Sequence, residues 1–303
     1  MTSSWEGRTV LVTGGTGGIG RATAAGLART GARVLIGARN AERAAEAVAA
    51  VRDETGVTVE VVALDLARLS SVAAAVEELQ ERTDALHALV NNAGVMILGR
   101  RRETADGLEL TFAVNHLGPF LLTTRLESLL RAGAPARVVN VSSDGYGIAR
   151  EGLRFDDLQF EHNWSGWEAY GASKLCNVYF TTELARRWRD SGVTANAVHP
   201  GYVDTDLGRV RDEDRLPSPG GAPSARGAGG GAPDLGALGT PATVEDGART
   251  SLYVTTSESL DGVTGRYFRD CEAVELAGVA ADEQAAGRLW DVSEALLANV
   301  PGF

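Results

Sequence analysis

Short runs of apolar residues recur along this chain, with stretches of helical spacing between them. The first is Thr9-Val-Leu-Val-Thr13, followed by a glycine-rich turn and an alanine-rich helical stretch over Arg21 to Thr30. A second run covers Arg33 to Ala38, helical spacing returns over Ala41 to Arg52, and Thr58 to Leu64 reads as another strand. Further strand-like runs lie at Leu86 to Asn91, Arg137 to Ser142 and Thr194 to His199, with helix-like segments near 70–82, 107–131 and 168–191. The runs are apolar at consecutive positions rather than alternating, so both faces of each strand are covered. Such strands separated by helices predict an α/β fold, a doubly wound parallel sheet with helices on both faces. The pattern spans residues 1–303 as a single domain with no repeat. One segment departs from it. Residues 209–240 are dominated by Gly, Ala, Pro and Arg, including Gly227-Ala-Gly-Gly-Gly-Ala232, and supply little core. This excursion follows a strand, on the side where such sheets bind ligands, and is expected to be a lid over the substrate.

Composition narrows the function classes. The chain is 44% hydrophobic and 23% charged, which is ordinary for a globular protein. A net charge of -11 argues against nucleic acid and anionic membrane surfaces as partners. The short run Arg100-Arg101-Arg102 reads as a solvated turn. No stretch reaches membrane-spanning length, and Met1-Thr-Ser-Ser-Trp5 lacks the charged-then-apolar pattern of a secretion signal. The expectation is a cytoplasmic protein without a membrane anchor. Cys176 and Cys271 make no disulfide framework. His87, His116, His162 and His199 have no metal-ligand spacing, so no metal is expected and each histidine reads as structural.

The turn after the first strand, Thr13-Gly-Gly-Thr-Gly-Gly-Ile-Gly20, carries the first chemical signal. Glycines let the backbone turn tightly and let a pyrophosphate approach, while the following helix N-terminus supplies amide donors. The register is open. Gly15, Gly17 and Gly20 fit G-x-G-x-x-G; Gly14, Gly17 and Gly20 fit T-G-x-x-G-x-x-G; Gly14, Gly18 and Gly20 fit T-G-x-x-x-G-x-G. All three bind dinucleotides. At the end of the second strand, Ile36-Gly-Ala-Arg39 has no acidic residue to accept from an adenine-ribose 2'-hydroxyl. Arg39 is placed instead to pair with a 2'-phosphate, with Arg43 as a second candidate, which favours NADP (NADPH) over NAD.

Lys174 is the only lysine of the chain; every other residue counted among its 29 Lys plus Arg is arginine. It stands four residues after Tyr170, and so one helical turn on and on the same face. The same interval from Tyr146 reaches Arg150, and from Tyr179 it reaches Glu183. An ammonium is a compact point charge where a guanidinium is a planar fork, so a site at the end of a straight reach takes lysine. A tyrosine used as a base at neutral pH carries a penalty of about 4 kcal/mol, which a nearby cation lowers.

Asn91-Asn-Ala-Gly94, Asn140-Val-Ser-Ser143 and Tyr170-x-x-x-Lys174 complete a joint pattern that resembles the short-chain dehydrogenase/reductase family, a Rossmann-type fold. The resemblance selects the register Gly14, Gly18, Gly20 and runs from about residue 8 to the C-terminus. It implies a catalytic set of Asn115, Ser143, Tyr170 and Lys174. Tyr170 would be the acid/base, Ser143 would bind the substrate oxygen, Lys174 would tune Tyr170 and hold the nicotinamide ribose, and Asn115 would support a proton-relay water. The family's catalytic serine is the second of its pair, Ser143 rather than Ser142, and strand alternation puts the two on opposite faces. The cofactor would lie along Gly14, Thr16, Gly18, Ile19 and Gly20, Arg39, Asp65 and Leu66 near adenine, Asn92, Ala93 and Gly94, and the segment Pro200, Gly201, Val203 and Thr205.

Local wording is similar to retinol-dehydrogenase-like and WW-domain-oxidoreductase-like enzymes: Glu103-Thr-Ala-Asp-Gly107, Asn115-His-Leu-Gly118, Ser173-Lys-Leu-Cys-Asn177, Ala197-Val-His-Pro-Gly201 and Gly265-Arg-Tyr-Phe268. The Ser143–Tyr170 interval is longer than in compact members, and the glycine-rich excursion stands where a helical lid is usual. The implied activity is hydride transfer between NADP(H) and a carbonyl or alcohol. Trp164, Trp167, Tyr202 and Leu207 are candidates for an apolar pocket, so the small-molecule substrate is expected to be apolar. By analogy, the 168–191 helix would make a homodimer or homotetramer. Two alternatives are a non-catalytic dinucleotide sensor or scaffold, which predicts a broken catalytic set, and a sugar-nucleotide epimerase or dehydratase, which predicts a larger C-terminal substrate domain.

Overall fold

The computed structural model describes residues 5–203, 205, 207 and 240–298. The expected lid segment lies outside these residues except for Thr240. Among the described residues, eight strands form one sheet in the order β3-β2-β1-β4-β5-β6-β7-β8. They are β1 Thr9–Thr13, β2 Arg33–Ala38, β3 Glu60–Ala63, β4 Ala88–Asn91, β5 Ala136–Val141, β6 Val193–His199, β7 Tyr267–Arg269 and β8 Glu272–Val274. All neighbours pair in parallel except β7 and β8. Within β1, Val10 and Val12 enter one core and Leu11 the other, as strand alternation requires. The consecutive apolar pattern of the sequence is therefore the signature of a sheet covered on both sides.

One face carries α1 (Gly18–Arg29), α2 (Ala41–Thr55) and α8 (Val244–Thr256). The other carries α3 (Leu69–Arg82), α4 (Leu110–Phe112), α5 (Gly118–Arg125), α6 (Glu127–Ala132), α7 (Gly166–Arg187) and α9 (Glu283–Ala298). Strand order reverses between β1 and β4, which opens a crevice at the carboxyl ends of those strands.

The helix expected over 107–131 is broken into pieces. Between α4 and α5 the chain forms a π-helical turn, Ala113–Leu117, closed by Gly118 N–H donating to the Ala113 carbonyl. Pro119 has no N–H and so gives the Asn115 carbonyl nothing from the position an α-helix would use. A π-turn adds one residue to the helical path, often at functional sites. Helix α7 is 22 residues long, and Ser165 caps it by accepting from Glu168 N–H. Tyr170 and Lys174 sit in its second and third turns. Helix α9 lies across α7. Tyr179 donates to the Val279 carbonyl at 2.6 Å just before α9, and Trp290 packs on Phe180 with ring centroids 5.9 Å apart.

Candidate active site

The glycine turn is a close approach of three backbones. Gly14 (φ 66°) and Gly18 (φ 50°) occupy the left-handed region, where a side chain is strained. At Gly20 a Cβ would lie 2.3 Å from the Gly14 carbonyl oxygen and 2.4 Å from Asn92 Nδ2. Gly17 is extended, and a Cβ there would meet nothing within 4 Å, so space does not demand glycine at that position. These constraints fall on Gly14, Gly18 and Gly20, the T-G-x-x-x-G-x-G register. Thr13 and Asn92 lock the turn to the end of β4. Thr13 Oγ1 accepts from Asn92 N–H and Ala93 N–H, each at 3.0 Å, and Asn92 Nδ2 donates to the Thr13 carbonyl at 2.9 Å. Sequence reasoning gave Thr13 no role, although it is the threonine that opens the T-G-x-x-x-G-x-G pattern.

A cavity of about 1580 Å³ opens over this turn. Thr16, Gly18, Ile19 and Gly20 line its floor, with Arg39 and Arg43 at one end. Arg39 is exposed. Asp65 and Leu66 line the wall beside them, and Asp65 Oδ1 accepts from Ala67 N–H at 3.0 Å. Ala93 and Gly94 continue the wall. Pro200, Gly201, Val203 and Thr205 close it from the other side. The Thr205 methyl comes within 3.5 Å of a Cβ placed on Gly18.

At the far end, β5 and α7 bring the chemistry together. Ser142 is buried and its Oγ donates to the Lys174 carbonyl at 2.8 Å. Ser143 faces the other way and hydrogen-bonds the Tyr170 hydroxyl. Its Oγ also accepts from Gly145 N–H at 3.0 Å. Lys174 is buried, and its Nζ donates to the Val141 carbonyl at 3.0 Å and lies 5.7 Å from the Tyr170 ring centroid. A Cβ on Gly94 would stand 3.6 Å from that Nζ. Burial holds the Lys174 ammonium down at about 8. Burial pushes the Tyr170 phenol above its ordinary value, and the Ser143 hydrogen bond opposes this only in part. The balance leaves the phenol raised.

Asn115 is placed behind this group rather than in the cavity wall. Its Nδ2 donates to the Val95 carbonyl and to Ser173 Oγ, both at 2.9 Å, and its Oδ1 accepts from Val95 N–H at 2.8 Å. The side chain ties the β4 loop to α7.

The apolar part of the cavity is lined by Trp167, Tyr202 and Leu207, as expected, and by Met96, Ile97, Leu98 and Ile148, which sequence reasoning missed. Those residues follow the Asn91–Gly94 motif or lie in a short 3-10 turn, where no periodicity marks a pocket. Trp164 does not line it. Its Nε1 donates to the Gly99 carbonyl at 2.7 Å and its ring meets Phe160, so it fastens the loop instead. Gly166 lets α7 start against that loop, because a Cβ there would be 2.1 Å from the Ile97 carbonyl oxygen.

A buried ammonium with three donors and one protein acceptor, facing a glycine-walled cleft, fits a ligand that offers hydroxyl oxygens. A helix N-terminus behind glycines fits a pyrophosphate. The residues present therefore fit a nicotinamide dinucleotide. Among the described residues no cluster of three or more His, Cys, Asp or Glu fits a metal ion, and no helix is long and apolar enough to cross a membrane.

The chain is similar to known proteins along most of its length. The family profile described as short chain dehydrogenase matches residues 8–153 and 158–216. Retinol dehydrogenase 14 of Mus musculus is 42% identical over 303 residues, covering 96% of this chain and 86% of its own. Retinol dehydrogenase 12 of Homo sapiens is 41% identical over 294 residues, with 96% and 86% covered. Among solved structures, an uncharacterised protein from Mycobacterium paratuberculosis superposes with a TM-score of 0.74 at 30% identity, covering 98% of this chain and 96% of that one. RhlG of Pseudomonas aeruginosa, solved with NADP, gives a TM-score of 0.66 at 26% identity, covering 88% and 95%.

Proposed function

Because the chain belongs to the short-chain dehydrogenase family, in its retinol-dehydrogenase-like branch, we propose that it is an NADP-dependent dehydrogenase of apolar alcohols and carbonyls, with Tyr170 as its acid/base. The broader class, an NAD(P)-dependent oxidoreductase of CH–OH and C=O groups, follows from the family itself. The observation that carries the proposal is the meeting of Tyr170, Ser143 and Lys174 at one end of a glycine-floored cleft whose adjoining wall is apolar.

Each side chain has a separate task. Ser143 and Tyr170 point hydroxyls at the same place, so a carbonyl oxygen there receives two hydrogen bonds. In reduction Tyr170 gives its proton to that oxygen; in oxidation it takes the proton back. Because burial keeps the phenol protonated, Tyr170 enters reduction as an acid without help. Oxidation needs the phenolate and hence cations near it. Lys174 is one, and an oxidised nicotinamide, which accepts the hydride when bound, is the other. The free donors of Lys174 suit the nicotinamide ribose. Arg39 supports the preference for NADP, as does the bound NADP of RhlG. Trp167, Ile97, Leu98 and Tyr202 support an apolar substrate, and relatives named retinol dehydrogenases add weight to that class.

A cytoplasmic location is part of the proposal, and the two free thiols are compatible with a reducing compartment. A sensor on this fold would be expected to lack part of the catalytic set, yet all four residues are present. The expected oligomer through α7 meets an obstacle, because α9 of the same chain covers Phe180 and Tyr179. We therefore favour a monomer, or an association that does not use α7. The test is a panel of aliphatic, aromatic and polyene aldehydes, ketones and alcohols, followed by absorbance of reduced nicotinamide with NADPH and with NADH. Turnover of apolar carbonyls with NADPH, lost in Tyr170→Phe, is the expected result. Undiminished turnover in Tyr170→Phe would overturn it.

A further inference from the structure

Next to Ser143 stands a cluster that the mechanism above does not use. Asp144 begins the 3-10 turn Asp144–Ile148, and Ser143 is its cap. The Asp144 backbone N–H donates to His199 Nδ1 at 3.2 Å. Its carboxylate accepts from Tyr267 Oη at 3.0 Å and pairs with the Arg269 guanidinium at 2.8 Å. His199 Nε2 faces the same carboxylate at 3.6 Å. The ends of β5, β6 and β7 are thus fastened at one residue, immediately beside the serine that meets Tyr170. His199 also precedes Pro200, where the cofactor-side segment begins.

We infer that His199 is a positioning residue for Ser143: as a neutral imidazole it holds the Asp144 amide, and with it the turn from which the Ser143 hydroxyl is aimed. The inference rests on the dehydrogenase reading of the site. The donor and acceptor roles are fixed by chemistry. A backbone N–H only donates, so Nδ1 must be unprotonated and the ring proton sits on Nε2, toward the carboxylate. Protonating the ring places an N–H against an N–H and breaks the bond. The groups facing His199 are Asp144 from the 3-10 turn, Arg269 and Asp270 from the end of β7, and Lys174 from α7. Burial lowers its proton affinity most; Asp144 and Asp270 raise it, and Arg269 and Lys174 lower it further. The ring is consequently neutral at neutral pH, and protonation sets in only below the ordinary histidine value of about 6.5. Loss of the bond should let Ser143 drift, and a drift of about 1 Å in a reacting group costs up to roughly a hundredfold in rate.

A brace that merely stabilised the fold would not make the chemical step depend on the imidazole proton. The experiment uses the full chain, saturating NADPH, and all-trans-retinal or nonanal, whichever is turned over faster; neither ionises. In the wild type kcat should fall on the acid side, below about pH 6.5. The Asp144 amide resonance of the NADPH-bound protein should move with the same midpoint. His199→Ala should lower kcat about ten- to a hundredfold while the KM for NADPH changes little. His199→Asn keeps an acceptor near the Nδ1 position and cannot titrate. It should recover most of the alanine loss and flatten the acid limb, and its Asp144 amide should no longer titrate. Wild-type kcat in His199→Ala, an unchanged acid limb in His199→Asn, or an Asp144 amide indifferent to pH would each overturn the inference. If the alanine variant fails to fold, the asparagine profile and the amide titration still decide. Full turnover in Tyr170→Phe sinks the dehydrogenase reading whatever His199 does. An inactive Tyr170→Phe beside a pH-indifferent Asp144 amide sinks this inference alone.

Discussion

Ser142 Oγ donates to the carbonyl of Lys174 at 2.8 Å, so the end of β5 is bolted to α7 one residue before Ser143 meets Tyr170. Adjacent serines on opposite faces of one strand thereby divide two tasks. Ser142→Ala should cost about 1 kcal/mol of stability, the usual worth of one hydrogen bond, and only part of the activity. Ser143→Ala should leave the melting temperature nearly unchanged and lower kcat by about 10²–10³, the range for one oxyanion donor. Thermal melts and steady-state kinetics on both variants check the division; a reversed pattern would assign the chemistry to Ser142.

Burying Lys174 costs the fold stability. Its folded value is about 8 against an ordinary 10.5, so burial disfavours its charge. Below about 8 it is protonated in both states and the full cost, on the order of 3 kcal/mol, is present. As pH rises from 8 toward 10.5 the unfolded chain holds the extra proton and the cost fades. Lys174→Met should therefore raise the denaturation midpoint at pH 7 while abolishing turnover, and the gain should shrink in alkaline buffer. Lys174→Arg should also be inactive, since a planar fork cannot reproduce the compact point charge at the end of this reach.

Oxidation and reduction should diverge with pH. The Tyr170 phenol is raised by burial, so the acid form that reduction needs is present throughout the neutral range. Reduction should be level there and fall in alkaline solution, whereas kcat/KM for the alcohol should climb with pH. Initial rates in both directions across an alkaline series test this; a level alcohol profile would place the base elsewhere.

Arg39 is exposed at the end of the cleft, where the end of β2 carries no acidic residue to meet a 2'-hydroxyl. Arg39→Ala should lower kcat/KM for NADPH about tenfold or more and leave NADH nearly unaffected, as the loss of one charge-assisted contact does. Equal losses with both nucleotides would reduce Arg39 to surface charge.

Sedimentation should find one chain per particle, since α9 occupies the outer side of α7 through Trp290 and the segment before it. Trp290→Ala should cost about 3–5 kcal/mol, as removal of a large buried aromatic does. A stable dimer that persists in this variant would point to another surface.

The parallel core was legible because β1, β2, β4, β5 and β6 are apolar on both faces, and that pattern needs no tertiary information. Strands β7 and β8 were not, since three residues each give no period. Helix α8 was passed over, although it opens on the capping box of Thr243 and Asp246 and carries an apolar face. Tyr170 and Lys174 were singled out by their spacing within one helix only in combination with the Asn91–Gly94 and Asn140–Ser143 motifs, and the structure brings both to the cleft beside Ser143. Asn115 was read too, but its side chain proved to be a brace, a distinction made by Val95 and Ser173 from other parts of the chain. Asp144 and His199 meet across 55 residues, and no local pattern joins them.

The π-turn at Ala113–Leu117 is one residue more than an α-helix needs. Each residue advances a helix by about 100°, so that extra residue rotates what comes before it against what comes after. Asn115 looks toward the β4 loop while His116 and Phe120 look into the packing under α9. Deleting one residue of the turn would remove this phase step. A frame-preserving loss of one codon here would therefore swing the asparagine out of register with Val95 even if every other residue of the site were kept.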